Sequence, residues 1–101
     1  MSTCIKVGSY TGTGAAINIS LGFVPEAVIL WNRTDGDVAA MWTSNMTDGE
    51  AIDIAAAVAG NAADGISEYA GSTTAAKGFT VGTDYSESAK VFDYIAMRST
   101  P

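Results

Sequence analysis

Residues 8–31 read GSYTGTGAAINISLGFVPEAVILW, and residues 78–98 read GFTVGTDYSESAKVFDYIAMR. Each stretch runs strand, glycine turn, strand, and together they look like the opening and closing of one compact β-domain. Around the first stretch, Cys4 to Tyr10 and Ile17 to Leu21 alternate large residues with small or polar ones, the pattern of half-buried strands. Thr11 to Ala16 reads as the glycine turn of a hairpin between them. Gly22, Phe23, Val24 and Pro25 then interrupt the chain. Proline lacks a ladder donor and pushes Val24 into an extended conformation, so a new strand is expected from Ala27. In the second stretch, Phe79 to Val81 and Val91 to Arg98 are strands joined by a polar loop that carries Asp84, Ser86, Glu87 and Ser88.

Between the two stretches, Ala27 to Asn32 (AVILWN) is dense in β-branched and aromatic residues and is followed by Thr34-Asp35-Gly36-Asp37. After a strand-like run from Val38 to Met46, Thr47-Asp48-Gly49-Glu50 nearly repeats that turn. Asp-Gly between apolar runs marks hairpins because both residues tolerate positive φ, so a meander is expected from Ala27 to about Val58. Ala51 to Ala63 begins as a strand. Its alanines then favour helix while Gly60 and Asn61 would stop one, leaving irregular chain or one short helix. Asp64-Gly65 reads as a third acidic turn, Ile66 to Tyr69 as a short strand, and Gly71 to Lys77 as a loop. The sum is an all-β protein, one domain over 1–101: an antiparallel β-sandwich, with a jelly roll as one form it takes, built from seven to eight short strands.

Composition removes most chemistry. Apolar residues make up 48% and charged residues 16%, which excludes disorder of the low-hydrophobicity, high-charge kind. The net charge is −6, and Lys6, Arg33, Lys77, Lys90 and Arg98 are scattered, so no basic stripe exists for nucleic acid or for an anionic membrane. Apolar runs are too short to span a bilayer, and no signal-peptide core is visible. There is no histidine, and Cys4 is the only cysteine. Imidazole and thiolate metal centres, Ser-His-Asp triads and Cys-His pairs are thereby excluded, and no catalytic, cofactor or metal residues are assigned. Cys4 reads as a small core hydrophobe. Gly12-Thr13-Gly14 fails as a dinucleotide fingerprint, because the third motif position falls on Ile17 and strand follows where a helix is needed. The acidic turns lack EF-hand spacing and read as solvated. The sequons at Asn18, Asn32 and Asn45 are given no role.

The informative feature is strands that are apolar on both faces. In Ala27 to Trp31, Val28 and Leu30 lie on one side and Ala27, Ile29 and Trp31 on the other. In Val91 to Met97 only Asp93 interrupts the same pattern. A sandwich strand usually keeps one face wet, so a loop of the chain or another subunit is expected over the outer face. Trp31, Ile95 and Met97 are the candidate interface residues on these strands. Trp42 and Met46, which share one parity of the meander's middle strand, suit core or interface, with core favoured for one tryptophan.

The segments GSYTGTG at 8–14, INISLGFVPEAV at 17–28, GFTVG at 78–82 and YIAMR at 94–98 resemble small β-domains of tailed-bacteriophage virion proteins, a group that includes tail-fibre modules and capsid-associated proteins. The resemblance covers nearly the whole chain, and its motifs are structural. It implies a non-enzymatic virion protein without cofactor. With no heptad stalk or repeated shaft visible, the expected role is a capsid decoration or cement protein. Such a protein would be made in the host cytoplasm, sit on the capsid surface bound to the major capsid protein, and form a homo-oligomer with a trimer favoured. The alternative is a tail-fibre or tail-tip module that recognises a host surface sugar or protein through exposed aromatics, with Tyr10, Tyr69 and Tyr85 as candidates.

Overall fold

The alternating segments become eight strands: β1 (Cys4–Thr11), β2 (Ile17–Ser20), β3 (Ala27–Asn32), β4 (Ala39–Thr43), β5 (Glu50–Asp53), β6 (Ala59–Tyr69), β7 (Gly78–Val81) and β8 (Val91–Arg98), with 3-10 turns at Thr74–Ala76 and Thr83–Tyr85. The computed structural model describes residues 4–36, 38–54 and 59–99, with backbone alone for 59 and 61–64. All strands join one antiparallel sheet in the order β1-β8-β3-β4-β5-β6-β7-β2. The protein is all-β, as the alternation required.

Five consecutive strands, β3 to β7, form a meander, because the turns between the first of them meet their backbone demands. Gly36 and Gly49 take φ of 71° and 92°, the left-handed conformation the Asp-Gly pairs suggested. At the first turn the Asn32 carboxamide oxygen accepts the Asp35 N–H at 3.0 Å, and the Gly36 N–H returns to the Asn32 carbonyl at 2.9 Å. Asn32 is fully buried and closes this turn.

The two terminal stretches do pair, but not as hairpins. β1 pairs with β8 and β2 with β7, which places β1 and β2 at opposite edges of the sheet. The expected hairpin at Thr11–Ala16 is therefore a crossing between edges. Its glycines serve close approach: the Gly12 N–H donates to the Lys90 carbonyl at 2.8 Å, and a Cβ on Gly12 would strike the Glu87 carbonyl. The Gly14 N–H reaches the Ser86 carbonyl at 2.6 Å, and the hydroxyl of buried Ser86 accepts the Thr13 N–H at 3.1 Å.

A second expectation also gives way. Asp64-Gly65 is not a turn, because β6 runs through it as an eleven-residue strand. The Gly65 N–H donates to the Gly49 carbonyl and its carbonyl accepts from Gly82, so the residue is stitched on both sides where the β5–β6 register shifts between Glu50 and Ala51. The pairing passes from Glu50↔Ile66 to Ala51↔Asn61, so residues 62–65 are extra on β6 and the Asp-Gly pair lies within that irregularity of the strand. The strand opening of Ala51–Ala63 is present in β5, residues 59–63 are strand in place of a helix, and 55–58 lie outside the described residues.

The sheet folds over so that its inner face closes on itself, and the two layers of the expected sandwich come from one sheet. Inside lie Val28, Leu30, Trp42, Ile66, Phe79 and Phe92, none more than 1% exposed. Tyr85, from the second 3-10 turn, fills the centre and donates to the Asp53 carboxylate on β5, while its carbonyl accepts the Tyr10 hydroxyl at 2.8 Å. Tyr10 stacks on Phe92 with ring centroids 5.2 Å apart. Among the described residues no helix is long and apolar enough to cross a membrane.

Candidate docking surface

The register decides which parity of each strand faces out. Residues directly opposite in an antiparallel pair point to the same face. Val7 lies opposite Ile95, Ile95 opposite Ile29, Ile29 opposite Met41, and Met41 opposite Ile52. This row of apolar side chains crosses β1, β8, β3, β4 and β5 on the outer face, roughly 19 Å at about 4.8 Å per strand step. Gly60, opposite Ile52 on β6, ends it. A parallel row, Ile5, Met97, Ala27 and Thr43, flanks one side. Ser9, Asp93, Trp31 and Ala39 flank the other.

Val7 is 71% exposed, Ile5 61% and Met41 42%, while Ile29, Trp31, Ile95 and Met97 are half-buried. Among the described elements the 3-10 turns lie against β6 and β2, and no strand covers the row. Charge stays at the margin: Arg33 pairs with Asp93 at 2.8 Å beside Trp31. An apolar centre with a polar rim is the anatomy of a protein-binding face.

Of the residues singled out in the sequence, Trp31, Ile95 and Met97 come together on this face. Trp42 does not: it is 1% exposed on the inner parity of β4, opposite Val28, so it belongs to the core. Met46 does not either. It lies beyond the end of β4, in the β4–β5 turn, where it packs against the core and its Sδ accepts the Thr43 N–H at 3.4 Å. Sequence reasoning missed Ile5, Val7, Met41 and Ile52. Their signal was present in the alternation of β1 and β4, but joining them to Ile29 and Ile95 requires the register. The aromatics offered for receptor binding are also redistributed, since Tyr85 is buried and Tyr10 is half-buried with its hydroxyl engaged.

Elsewhere the surface offers less. A depression of about 240 Å³ is lined by Gly22, Phe23, Val24, Thr74, Lys77 and Arg98, but the Arg98 guanidinium is spent on the Val24 carbonyl at 3.0 Å. Among the described residues no three carboxylate or thiol groups converge as metal ligands. The sequon residue Asn18 accepts the Thr80 hydroxyl across β2 and β7 at 2.6 Å. No family model matches the chain, and neither does any curated protein or solved structure.

Proposed function

We propose that this chain is a non-enzymatic virion structural protein of tailed-bacteriophage type, a capsid decoration or cement protein that docks on the major capsid lattice through the outer face of β1, β8, β3 and β4. The single observation that carries the reading is the apolar row Val7, Ile95, Ile29, Met41 and Ile52, over which no described strand lies and of which Val7 and Met41 are exposed. A contiguous apolar surface of this kind on a chain of net charge −6 serves a protein partner, and a basic or phosphate-lined one is disfavoured. The sequence resemblance to phage virion β-domains supplies the particle. Contacts made only in the assembled shell stabilise the shell by linkage, which is the physical content of a cement role.

Reconstruction of the intact particle tests this reading. Hundreds of copies on the shell, seated by the outer face, are expected. Particles without the chain, or with a few copies at the tail, overturn it in favour of a tail module. As a biochemical counterpart, shells stripped of the protein should rebind the wild-type chain and fail to bind Ile29→Lys.

A further inference from the structure

Among the described residues β1 is an edge strand with no strand on its outward side, and the hydrogen-bond phase shows which groups are open. The Gly12 N–H donates to the Lys90 carbonyl. On the other side of β8, the Val91 and Met97 carbonyls accept from Arg33 and Glu26. In an antiparallel ladder residues alternate between bonding the partner and turning both groups away. The β1–β8 register runs unbroken from Thr11↔Val91 to Cys4↔Arg98. Cys4, Lys6, Gly8 and Tyr10 therefore bond β8, and Ile5, Val7, Ser9 and Thr11 turn N–H and C=O to the open side. Among the described residues none of these four has a backbone partner there.

Natural edges are blunted by short strands, charges, proline or bulges. The opposite edge, β2, is four residues long. β1 is eight residues long, carries Lys6 as its single charge, and has neither proline nor a bulge. Moreover, Ile5, Lys6 and Val7 are all exposed, so this part of the strand is covered on neither face.

We infer that the β1 edge pairs antiparallel with β1 of a second copy about a two-fold axis at Gly8. That register matches every open group to an open group: Val7 faces Ser9 of the second copy, and Ile5 faces Thr11, each pair exchanging both bonds. A two-fold at Lys6 would set lysine against lysine, and one at Val7 would leave Thr11 unmatched. At Gly8, Lys6 instead faces Tyr10 of the second copy, and the two Val7 side chains become diagonal neighbours that join the outer apolar rows into one. An isologous edge closes at two copies, in place of the trimer the sequence favoured. Each copy carries −6, so added salt tightens the pair.

Sedimentation equilibrium and hydrogen exchange test the inference. The wild-type chain is expected at twice its 10.3 kDa mass, with slow exchange at the Ile5, Val7, Ser9 and Thr11 amides. Ser9→Pro removes an N–H that points to the open side and so leaves the β8 ladder intact. Val7→Lys places charge on the edge at a site that is 71% exposed. Both variants should be monomeric, or at least about tenfold weaker dimers, with unchanged far-ultraviolet circular dichroism. If Ser9→Pro does not fold, Val7→Lys decides. A wild-type monomer up to its solubility limit with fast exchange at those amides overturns the pairing, as does an unweakened Val7→Lys dimer. Neither result touches the capsid reading, which Ile29→Lys probes on β3, two strands in from this edge and outside the edge pairing.

Discussion

Phe79 on β7 and Tyr94 on β8 meet edge to face with ring centroids 5.4 Å apart, although four strands lie between them in the sheet. That contact is made only when the sheet has folded over, so it reports closure directly. Phe79→Ala is expected to cost about 3–5 kcal/mol by denaturant unfolding, as for other buried aromatics. In a double-mutant cycle with Tyr94→Ala, roughly 0.5–1.5 kcal/mol should appear as coupling beyond lost area. Strict additivity would mean that the rings do not meet in solution.

Neighbouring residues on β4 provide the sharpest test of the face assignment. Met41 points outward and is 42% exposed, while Trp42 points inward and is 1% exposed. Met41→Lys should change stability by no more than about 0.5 kcal/mol while weakening binding to stripped shells. Trp42→Ala should cost about 3–5 kcal/mol through the cavity it leaves. The reverse order of these two effects would require the strand to be turned over.

That contrast also marks what the residues alone could tell. Strand positions were legible because alternation is a local signal, and seven of the eight strands lie where apolar periodicity put them, within a residue or a few. Pairing was not legible at Gly12-Thr13-Gly14, since a glycine turn between two strands looks the same whether it closes a hairpin or lets the chain cross to the far edge against Glu87 and Lys90. The Asp64-Gly65 pair misled for a related reason: glycine serves a turn and equally a close approach of backbone, here of Gly65 to the Gly49 and Glu50 carbonyls within an irregular strand. For the site, Trp31, Ile95 and Met97 were visible because both parities of β3 and β8 are apolar; Asp93 alone marks the outer parity of β8, and β3 carries no such mark. Only the register with β1 and β4, which sets exposed Val7 opposite Ile95 and exposed Met41 opposite Ile29, joins the outer row, whereas Lys6, opposite buried Ala96, breaks the pattern on the inner parity.

Tyr10 gives the fold a defined alkaline limit. Burial raises its phenol well above the ordinary value, and burial raises Tyr94 as well. Below about pH 10 tyrosine is protonated folded or unfolded and contributes no pH dependence. Above it the unfolded chain releases the proton while folded Tyr10 retains it, so stability falls as pH rises, by about 1.4 kcal/mol per pH unit for that group. Tyr10→Phe should lose about 1 kcal/mol at neutral pH, because its hydroxyl no longer reaches the Tyr85 carbonyl, and should show a shallower alkaline decline. Urea titrations at neutral pH and near pH 11 check both halves. An unchanged alkaline slope would show that other groups set it.

Ala89 offers a stabilising substitution whose sign follows from competing magnitudes. It sits at φ 67° in the loop before β8, where its N–H donates to the Gly12 carbonyl at 3.0 Å. A non-glycine residue in that left-handed conformation costs about 1–2 kcal/mol. Replacing it with glycine removes that strain but raises the entropy lost on folding by roughly 0.5–1 kcal/mol. The strain is the larger quantity, so Ala89→Gly should stabilise the protein by up to about 1 kcal/mol, read as a higher denaturant midpoint with an unchanged slope. The side chain is exposed, so no packing is forfeited. A lower midpoint would mean that the loop relaxes out of the left-handed conformation in solution, and the Ala89–Gly12 bond that ties the crossing to β8 would then be absent as well.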